Sequence, residues 1–379
     1  MFAVRTHDAT LASRQSLTHG SLGVALLHVV RAHRGSGQWP AIQRQLSATG
    51  PLIDGAAASL YYGAPAMSYV LHVAAAGTDR YAGALNTLDR IVAALTRRRL
   101  AAAHARVSAG RFASHAEYDV IGGLTGLGAL LLRRQPSGPE LTGVLDYLVR
   151  LTEPVTVASG ANLPGWWSGR ELAVGGVAPA DGRAMAGMAH GIAGPLALLA
   201  LAKQRGITVA GHDEAMRRIC RWLDQIRVTD HRGTRWPRWI SAQGPAPAIP
   251  AAPSWCSGTP GLARAQQLAG IALGDADRKR MAERSLLMCL ADHQQLDQIV
   301  DRSLCHGFGG LLRTVQRVAE DAEDPHRFAN RLKLLDERFR LAGPPEETGF
   351  LTGAAGAILA YQSLDAATPC DWDMCLLLA

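Results

Sequence analysis

Two cysteines and a histidine are the side chains of this sequence best suited to metal chemistry. Cys305 and His306 stand side by side before Gly307, and Cys256 stands two residues before Gly258 in a similar stretch. Thiolate and imidazole groups are preferred ligands of Zn²⁺, and a catalytic zinc with three protein ligands keeps a fourth position open. We predict that Cys256, Cys305 and His306 bind one Zn²⁺ whose open position activates a thiol.

The glycines after these residues belong to a motif that recurs along the chain. The pattern Gly-x-x-Gly followed by an apolar run occurs seven times, with Ala66 replacing the last glycine in the second copy. The first glycines of the copies are 43 to 68 residues apart and are Gly20, Gly63, Gly123, Gly191, Gly258, Gly307 and Gly353. Each interval accommodates two helices with their loops, and a repeat of this length indicates stacked helical hairpins.

The apolar pattern inside each copy predicts two kinds of helix. The helix after the glycines is apolar on most sides, which indicates burial, whereas the second helix of each pair is amphipathic. The stretch 217–226 is an example, with Ile219, Trp222, Leu223 and Ile226 on one face. We predict an all-α chain with a single domain over residues 1–379. The expected fold is an α/α toroid of seven inner and seven outer helices. The starts of the inner helices would surround a mouth, where we expect a site.

The polar residues just before the glycines differ between copies. In a purely structural repeat, these positions would carry interchangeable residues. Cys256 and Cys305 hold matching positions, so two sulfurs that are 49 residues apart in sequence can meet across neighbouring inner helices. Both could instead be small buried apolar residues. His306, beside Cys305, could instead form a helix-cap hydrogen bond. The four cysteines at positions 220, 289, 370 and 375 are predicted to be core or surface thiols.

Three further polar residues lie at or near the same positions. His190 stands directly before Gly191, and Asp119 lies four residues before Gly123. A structural histidine and a helix N-cap are the alternative roles for these two residues. His19 stands directly before Gly20, where its role is ambiguous. The pair Trp166-Trp167 either lines a peptide groove or anchors its loop.

The composition excludes several classes of protein. Of 379 residues, 48% are hydrophobic and 19% charged, with a net charge of +7. This composition allows a large core and argues against a long disordered region. The basic clusters fit solvated helix faces or a surface for an acidic peptide, and without a basic and aromatic platform we expect no nucleic-acid binding. No apolar run reaches the length of a membrane span. Residues 1–8 show no apolar h-region, so we expect no signal peptide, and the few dispersed cysteines favour a reduced, cytoplasmic setting.

Several motifs lie around these residues. They are the stretches 118–123, 164–167, 187–195, 255–261 and 305–307, with Trp372-Asp373 near the end. In combination they resemble LanC-type lanthionine synthetase cyclases over essentially the whole chain. The resemblance implies a double ring of seven helix pairs, a catalytic zinc bound by two Cys and one His, and thioether-ring formation in a ribosomal peptide. It also implies essential roles for His190 and Asp119.

This resemblance leads to a hypothesis for the reaction. Zinc deprotonates a coordinated thiol, so a substrate cysteine would attack the β-carbon of dehydroalanine or dehydrobutyrine and form lanthionine or methyllanthionine. His190 is the candidate general acid for the α-carbon, since imidazole titrates near neutral pH. Asp119 would hold the imidazole or position it indirectly. The expected partners are a dehydrated precursor peptide with its leader and a separate dehydratase.

One departure from the family pattern leaves alternatives open. The family often carries a basic residue shortly before the Trp-Cys motif, but residues 250–254 here are uncharged. Another group must serve, or the substrate differs. A LanC-like protein that adds glutathione or another thiol, and a non-catalytic peptide-binding member, therefore stay as alternatives. A protein prenyltransferase β-type subunit is disfavoured because its aspartate-containing zinc pattern is missing.

Overall fold

Residues 14–156, 162–169, 182–241, 244–245, 252–364 and 371–379 are described by a computed structural model. Within these ranges the chain forms fifteen α-helices, a final 3₁₀ turn and seven short strands. In chain order the helices are α1 (Ser21–His33), α2 (Trp39–Ser47), α3 (Ala64–Ala75), α4 (Ala82–Ser108), α5 (His115–Tyr118), α6 (Leu124–Arg134), α7 (Pro139–Leu151), α8 (Ala193–Gln204), α9 (His212–Ile226), α10 (Thr259–Leu273), α11 (Ala276–Cys289), α12 (His293–Leu296), α13 (Phe308–Glu320), α14 (His326–Leu341) and α15 (Ala354–Gln362).

The strands form three small antiparallel sheets in the connections between helices. Strands β1 (Val155–Thr156) and β2 (Asn162–Leu163) pair with each other, as do β4 (Val228–Asp230) and β5 (Gly233–Arg235). The third sheet has the order β3 (Arg183–Met185), β6 (Trp239–Ser241), β7 (Gly244–Pro245), and Ala184 of β3 lies opposite Ile240 of β6. The fold is therefore mostly helical, as predicted.

Seven helices form a closed ring. Helices α1, α3, α6, α8, α10, α13 and α15 each begin one or two residues after the first glycine of a copy. Each contacts the next one in this series, and α15 contacts α1. Helices α2, α4, α7, α9, α11 and α14 each pack on the inner helix before them. The predicted helical toroid is confirmed. A seventh outer helix is not confirmed, because after α15 the described residues contain only the turn Met374–Leu376.

Burial explains the two rings. Residues 193–202 of inner helix α8 are all buried. Outer helix α9 buries Ile219 and Leu223 on one face, and Trp222 and Ile226 of the same face are partly buried against the core. An apolar surface all round the inner helices can be removed from water only by neighbours on every side. None of the helices in the described part of the chain is long and apolar enough to cross a membrane.

Residues 372–378 are all buried between helices of the ring. Leu376, Leu377 and Leu378 are at most 1% exposed. The segment that contains them is bonded to helices far apart in the ring, because the Arg264 guanidinium on α10 donates to the Leu378 carbonyl and the Tyr69 hydroxyl on α3 donates to a carbonyl of the same segment. A buried segment that is bonded to helices far apart in one ring lies between those helices.

Candidate metal centre

The loops that lead into the inner helices are joined by a ladder of backbone hydrogen bonds. The amide of Ala189 donates to the carbonyl of Cys256 (3.0 Å), Cys256 to Cys305 (3.2 Å), Cys305 to Leu351 (2.8 Å) and Leu351 to Thr18 (2.8 Å). Each of these residues lies two positions before the first glycine of its copy. The ladder places equivalent residues side by side at one end of the ring, hereafter the mouth.

Two glycines hold the Cys256 loop tightly against its helix. A Cβ atom on Gly261 would collide with the Trp255 carbonyl, and one on Gly258 would collide with the Ser254 amide. Neither glycine has a positive φ, so both are needed for space. The Ser254 hydroxyl closes the turn by accepting hydrogen bonds from the amides of Gly258 (3.0 Å) and Ser257 (3.3 Å). Cys256 is thereby fixed at the entry to α10.

The structure brings the three predicted metal ligands together. Cys256, Cys305 and His306 each offer a ligand atom, and these atoms all lie within 4.8 Å of one another. Both cysteines are partly exposed and His306 is exposed. The ladder bond between Cys256 and Cys305 explains the meeting of the sulfurs, because it aligns the two backbones. Two sulfurs and one imidazole nitrogen match the donor set of a zinc site with one open position.

The ionisation of the two thiols also fits a cation. The hydrogen bond with Cys305, together with those with His306 and Ser254, holds the pKa of Cys256 well below its usual value despite burial. The same hydrogen bond to Cys256, together with burial, raises the pKa of Cys305. One thiol of the pair therefore ionises readily and the other does not. A bound divalent cation removes this conflict, since a coordinated thiol is deprotonated outright.

His190 and Asp119 form a hydrogen-bonded pair at the mouth. His190 Nδ1 lies 2.7 Å from Asp119 Oδ2, and Asp119 Oδ1 accepts hydrogen bonds from the amides of Gly122 (2.7 Å) and Gly123 (2.9 Å). The Asp119 side chain is 5% exposed, whereas that of His190 is 50% exposed. Burial lowers the pKa of His190, but the hydrogen bond to Asp119 and its charge outweigh burial and raise the pKa above its usual value. Asp119 thus stabilises the loop and orients the imidazole.

This pair is a direct neighbour of the metal ligands. Val120, next to Asp119, donates its amide to the Ala189 carbonyl (3.1 Å), and Ala189 donates to Cys256. Along the mouth, the order is therefore Asp119, His190, Cys256 and Cys305. An imidazole that is held at Nδ1 and exposed elsewhere can transfer a proton at Nε2 to a group bound beside the sulfurs.

Arg238 is a charged residue of this site that the sequence did not reveal. It directly precedes β6, and its carbonyl accepts a hydrogen bond from Ala186 (3.1 Å). Its charge is close enough to act on both Cys305 and His190. Residues 250–254, just before the Trp-Cys motif, are uncharged, and of these 250 and 251 lie outside the described residues. Arg238 comes from a different loop, which reaches the mouth through the pairing of β6 with β3.

His115 is a second residue that sequence reasoning missed. It lies one helical turn before Asp119, whose amide donates to the His115 carbonyl (2.8 Å). Its side chain is buried, and Nε2 has no hydrogen-bond partner among the described residues. Burial lowers the pKa of His115 to about 4, so its imidazole is neutral at pH 7. The sequence signal for His115 was its position four residues before Asp119, because residues four apart in a helix are neighbours on one face.

The tryptophan pair and the four other cysteines are the remaining residues for which the sequence made a prediction. Trp166 and Trp167 are each 2% exposed, and Trp166 packs edge to face on Trp222 with ring centres 5.3 Å apart. The tryptophan pair therefore anchors its loop.

Three of the four remaining cysteines are buried free thiols, as predicted: Cys220, Cys289 and Cys375. Cys370 lies outside the described residues.

Known proteins share this fold and sequence pattern. The sequence profile of the family described as "Lanthionine synthetase C-like protein" matches residues 12–377. Among solved structures, a chain described as "Nisin cyclase" matches 98% of this chain and 94% of its own length, with a TM-score of 0.79 and 20% sequence identity, which is a likeness of fold. No curated protein sequence matches the chain. Because the profile covers nearly all of its length, this protein belongs to the lanthionine synthetase C-like family.

Proposed function

We propose that this protein is a zinc-dependent lanthipeptide cyclase that acts on a dehydrated, ribosomally made precursor peptide. The observation that carries the proposal is the meeting of Cys256, Cys305 and His306 within 4.8 Å at the mouth. The pair of His190 and Asp119 on the adjoining loops supplies an acid–base group beside it. Family membership and the toroidal fold support the same reaction class.

Three residues would hold the ion, and their charge suits a sulfur substrate. Cys256, Cys305 and His306 would bind Zn²⁺, which when bound keeps a coordinated substrate thiol in its thiolate form. The two cysteine thiolates give the site excess negative charge, so the substrate sulfur stays nucleophilic. The partial exposure of both cysteines and the exposure of His306 leave a path for a peptide side chain from the mouth.

His190 would complete the addition by moving one proton. Attack of the substrate sulfur on the β-carbon of a dehydroamino acid forms the C–S bond and leaves an electron pair at the α-carbon. Because Nδ1 is held by Asp119, the Nε2 proton of His190 is the one available for transfer to that carbon. The substrate thiol loses one proton and the α-carbon gains one, so the product has the same mass as the substrate.

Arg238 would supply the positive charge that residues 252–254 lack. Its charge acts on both Cys305 and His190, the groups beside which the reacting carbon would lie. A fixed cation beside a developing enolate stabilises the transition state more than the ground state. The departure from the family pattern would then be a relocation of the charge to another loop.

The test is thioether formation in vitro. The zinc-loaded protein is incubated with a dehydrated peptide that carries one cysteine, and remaining thiols are alkylated and counted by mass spectrometry. We expect the free thiol to disappear without a change in peptide mass, and the Cys256→Ala variant to be inactive. Cys289→Ala is the matched control, since Cys289 is a buried thiol outside the cluster and the variant should retain activity.

Two results would contradict the proposal. If the zinc-loaded protein leaves the peptide thiol free, it is not a cyclase for such peptides. If the peptide instead gains the mass of glutathione when that thiol is added, the protein adds free thiols to dehydroamino acids.

A further inference from the structure

The residue directly before the first glycine faces the mouth in the copies that form the site. Three residues before that glycine, the side chain is 0% exposed in all seven copies: Leu17, Leu60, Val120, Met188, Trp255, Leu304 and Phe350. Directly before the glycine, none of the residues is buried: His19, Tyr62, Gly122, His190, Ser257, His306 and Thr352. Histidine holds this position three times. His190 and His306 belong to the site already described, and His19 has no role there.

The backbone ladder places His19 on the other side of the metal centre from His190. We call each backbone hydrogen bond of the ladder a rung. Ala189, which precedes His190, is one rung from Cys256. In the opposite direction, Thr18, which precedes His19, is two rungs from Cys305 through Leu351. Strands joined by backbone hydrogen bonds are about 4.8 Å apart, so the backbone of Thr18 lies within roughly 10 Å of that of Cys305. The two histidines therefore flank the cysteine pair.

The backbone at His19 is fixed, whereas its imidazole is exposed. The His19 amide donates to the Ser16 hydroxyl (3.4 Å), which also bonds to the Thr18 hydroxyl (2.8 Å). A Cβ atom on Gly349 would collide with the His19 backbone, so the two loops are in close contact. The exposed imidazole makes no hydrogen bond with the described residues. The backbone of His19 is therefore held at the mouth, and its imidazole is free to bind a ligand there.

We propose that His19 contacts the peptide substrate on the side of the metal centre opposite His190. The inference rests on the proposed function and adds a substrate-binding residue to it. Four ladder spacings separate Ala189 from Thr18, so their backbones are at most about 19 Å apart, which is no more than the length of roughly six extended residues. A peptide segment whose cysteine lies at the sulfurs can therefore contact both histidines. The His19 imidazole binds the backbone of this segment by a hydrogen bond, since it can donate or accept.

Histidine footprinting tests the contact directly. The zinc-loaded protein is treated with diethyl pyrocarbonate, with and without a dehydrated peptide whose cysteine is replaced by alanine, and modification is read by mass spectrometry. With the peptide at about ten times its Kd, occupancy by mass action should slow modification of His19 and His190 by about tenfold. His326 is the internal control: it is exposed and begins α14, and an outer helix starts where the preceding inner helix ends, away from the mouth. Its modification rate should not change.

The footprint separates this inference from the proposed function. Protection of His190 without protection of His19 would overturn the inference and leave the proposed function in place. If neither histidine is protected, the peptide does not bind in the mouth, and both proposals are wrong.

Substitution of His19 gives a second, kinetic readout. His19→Ala should keep its full zinc content and raise the KM for the peptide about three- to tenfold, the effect of losing one hydrogen bond, with a smaller change in kcat. His19→Gln, which retains a donor and an acceptor, should recover part of this loss. His326→Gln should match the wild type. An unchanged KM in His19→Ala, or loss of zinc from it, would contradict a substrate-binding role.

Discussion

At the residue scale, the chemistry depends on which positions of the repeat carry polar side chains. Cys256 and Cys305 hold equivalent positions in neighbouring copies, so their meeting could be predicted from the sequence. The partnership of Asp119 with His190 came from the family resemblance, and the structure adds its geometry. Arg238 could not be predicted, because it reaches the mouth through the pairing of β3 with β6, two strands of three residues that are too short to show alternation.

The Asp119–His190 pair makes a prediction for pH dependence. Proton transfer needs protonated His190, and its raised pKa keeps the proton to a higher pH than an ordinary imidazole would. The cyclisation rate should fall as pH rises through this raised pKa. In Asp119→Asn the charged hydrogen bond is lost and the pKa of His190 decreases, so the fall should begin at lower pH. Single-turnover rates from about pH 6 to 9 measure the shift.

Metal content separates this effect from damage to the site. Asp119→Asn and His190→Ala should both retain full zinc, and His190→Ala should form rings slowly or in the wrong pattern. Wild-type turnover in His190→Ala would remove this residue from the mechanism, and identical pH profiles for the wild type and Asp119→Asn would contradict the assigned role of the carboxylate.

At the element scale, the Gly-x-x-Gly loops explain how much of the fold was predictable. Each first glycine predicted the start of an inner helix, and the observed helices begin one or two residues later. In the six copies that have a second glycine, the helix start packs closely on a carbonyl of its own loop, as Gly261 does on Trp255. The small sheets were not predicted, since their strands depend on partners distant in the sequence.

This packing predicts opposite effects for two glycine substitutions. Gly261→Ala forces a methyl group into the Trp255 carbonyl, so the loop that carries Cys256 must shift. We expect a loss of about 1–3 kcal/mol in the free energy of unfolding, with weaker zinc binding. Gly83→Ala is the control, because a Cβ atom there meets open space on an exposed part of α4. It should be neutral or stabilise by up to about 1 kcal/mol.

Urea denaturation and zinc titration measure both variants. Equal stability and equal zinc affinity for Gly261→Ala and the wild type would show that the loop tolerates the shift, and that close packing does not position Cys256.

At the scale of the whole molecule, a buried ion pair holds the segment 371–379 to the helices of the ring. Asp373 is 0% exposed and accepts hydrogen bonds from Arg313 Nε (2.8 Å) and Arg317 Nε (2.7 Å). Burial alone would raise the pKa of Asp373, but the two guanidinium groups outweigh burial and depress it well below its usual range. The same segment supports the metal loop, because the Trp255 indole donates to the Leu376 carbonyl (2.9 Å).

Asp373→Asn should therefore destabilise the protein in a pH-dependent way. Removing one partner of a buried pair costs about 3–5 kcal/mol, because it leaves the other charge uncompensated. A depressed pKa stabilises the fold above the unfolded-state value of about 4, and this stabilisation is lost as pH falls below it. The difference in unfolding free energy between wild type and variant should be full at neutral pH and shrink below about pH 4.

The matched control is Asp277→Asn, whose carboxylate is 94% exposed and pairs with Arg280. Exposed pairs contribute little, so this variant should change the unfolding free energy by less than about 1 kcal/mol. If Asp373→Asn were no more destabilising than Asp277→Asn at neutral pH, the ion pair would not hold the segment in place.

The most direct measurement for the whole account is the zinc content of the purified, dialysed protein by inductively coupled plasma mass spectrometry. The wild type and the Cys289→Ala control should each hold one zinc ion per chain, whereas Cys256→Ala and Cys305→Ala should hold none. Full zinc occupancy in both of these variants would contradict a metal site built from the two converging loops, and with it the proposed chemistry.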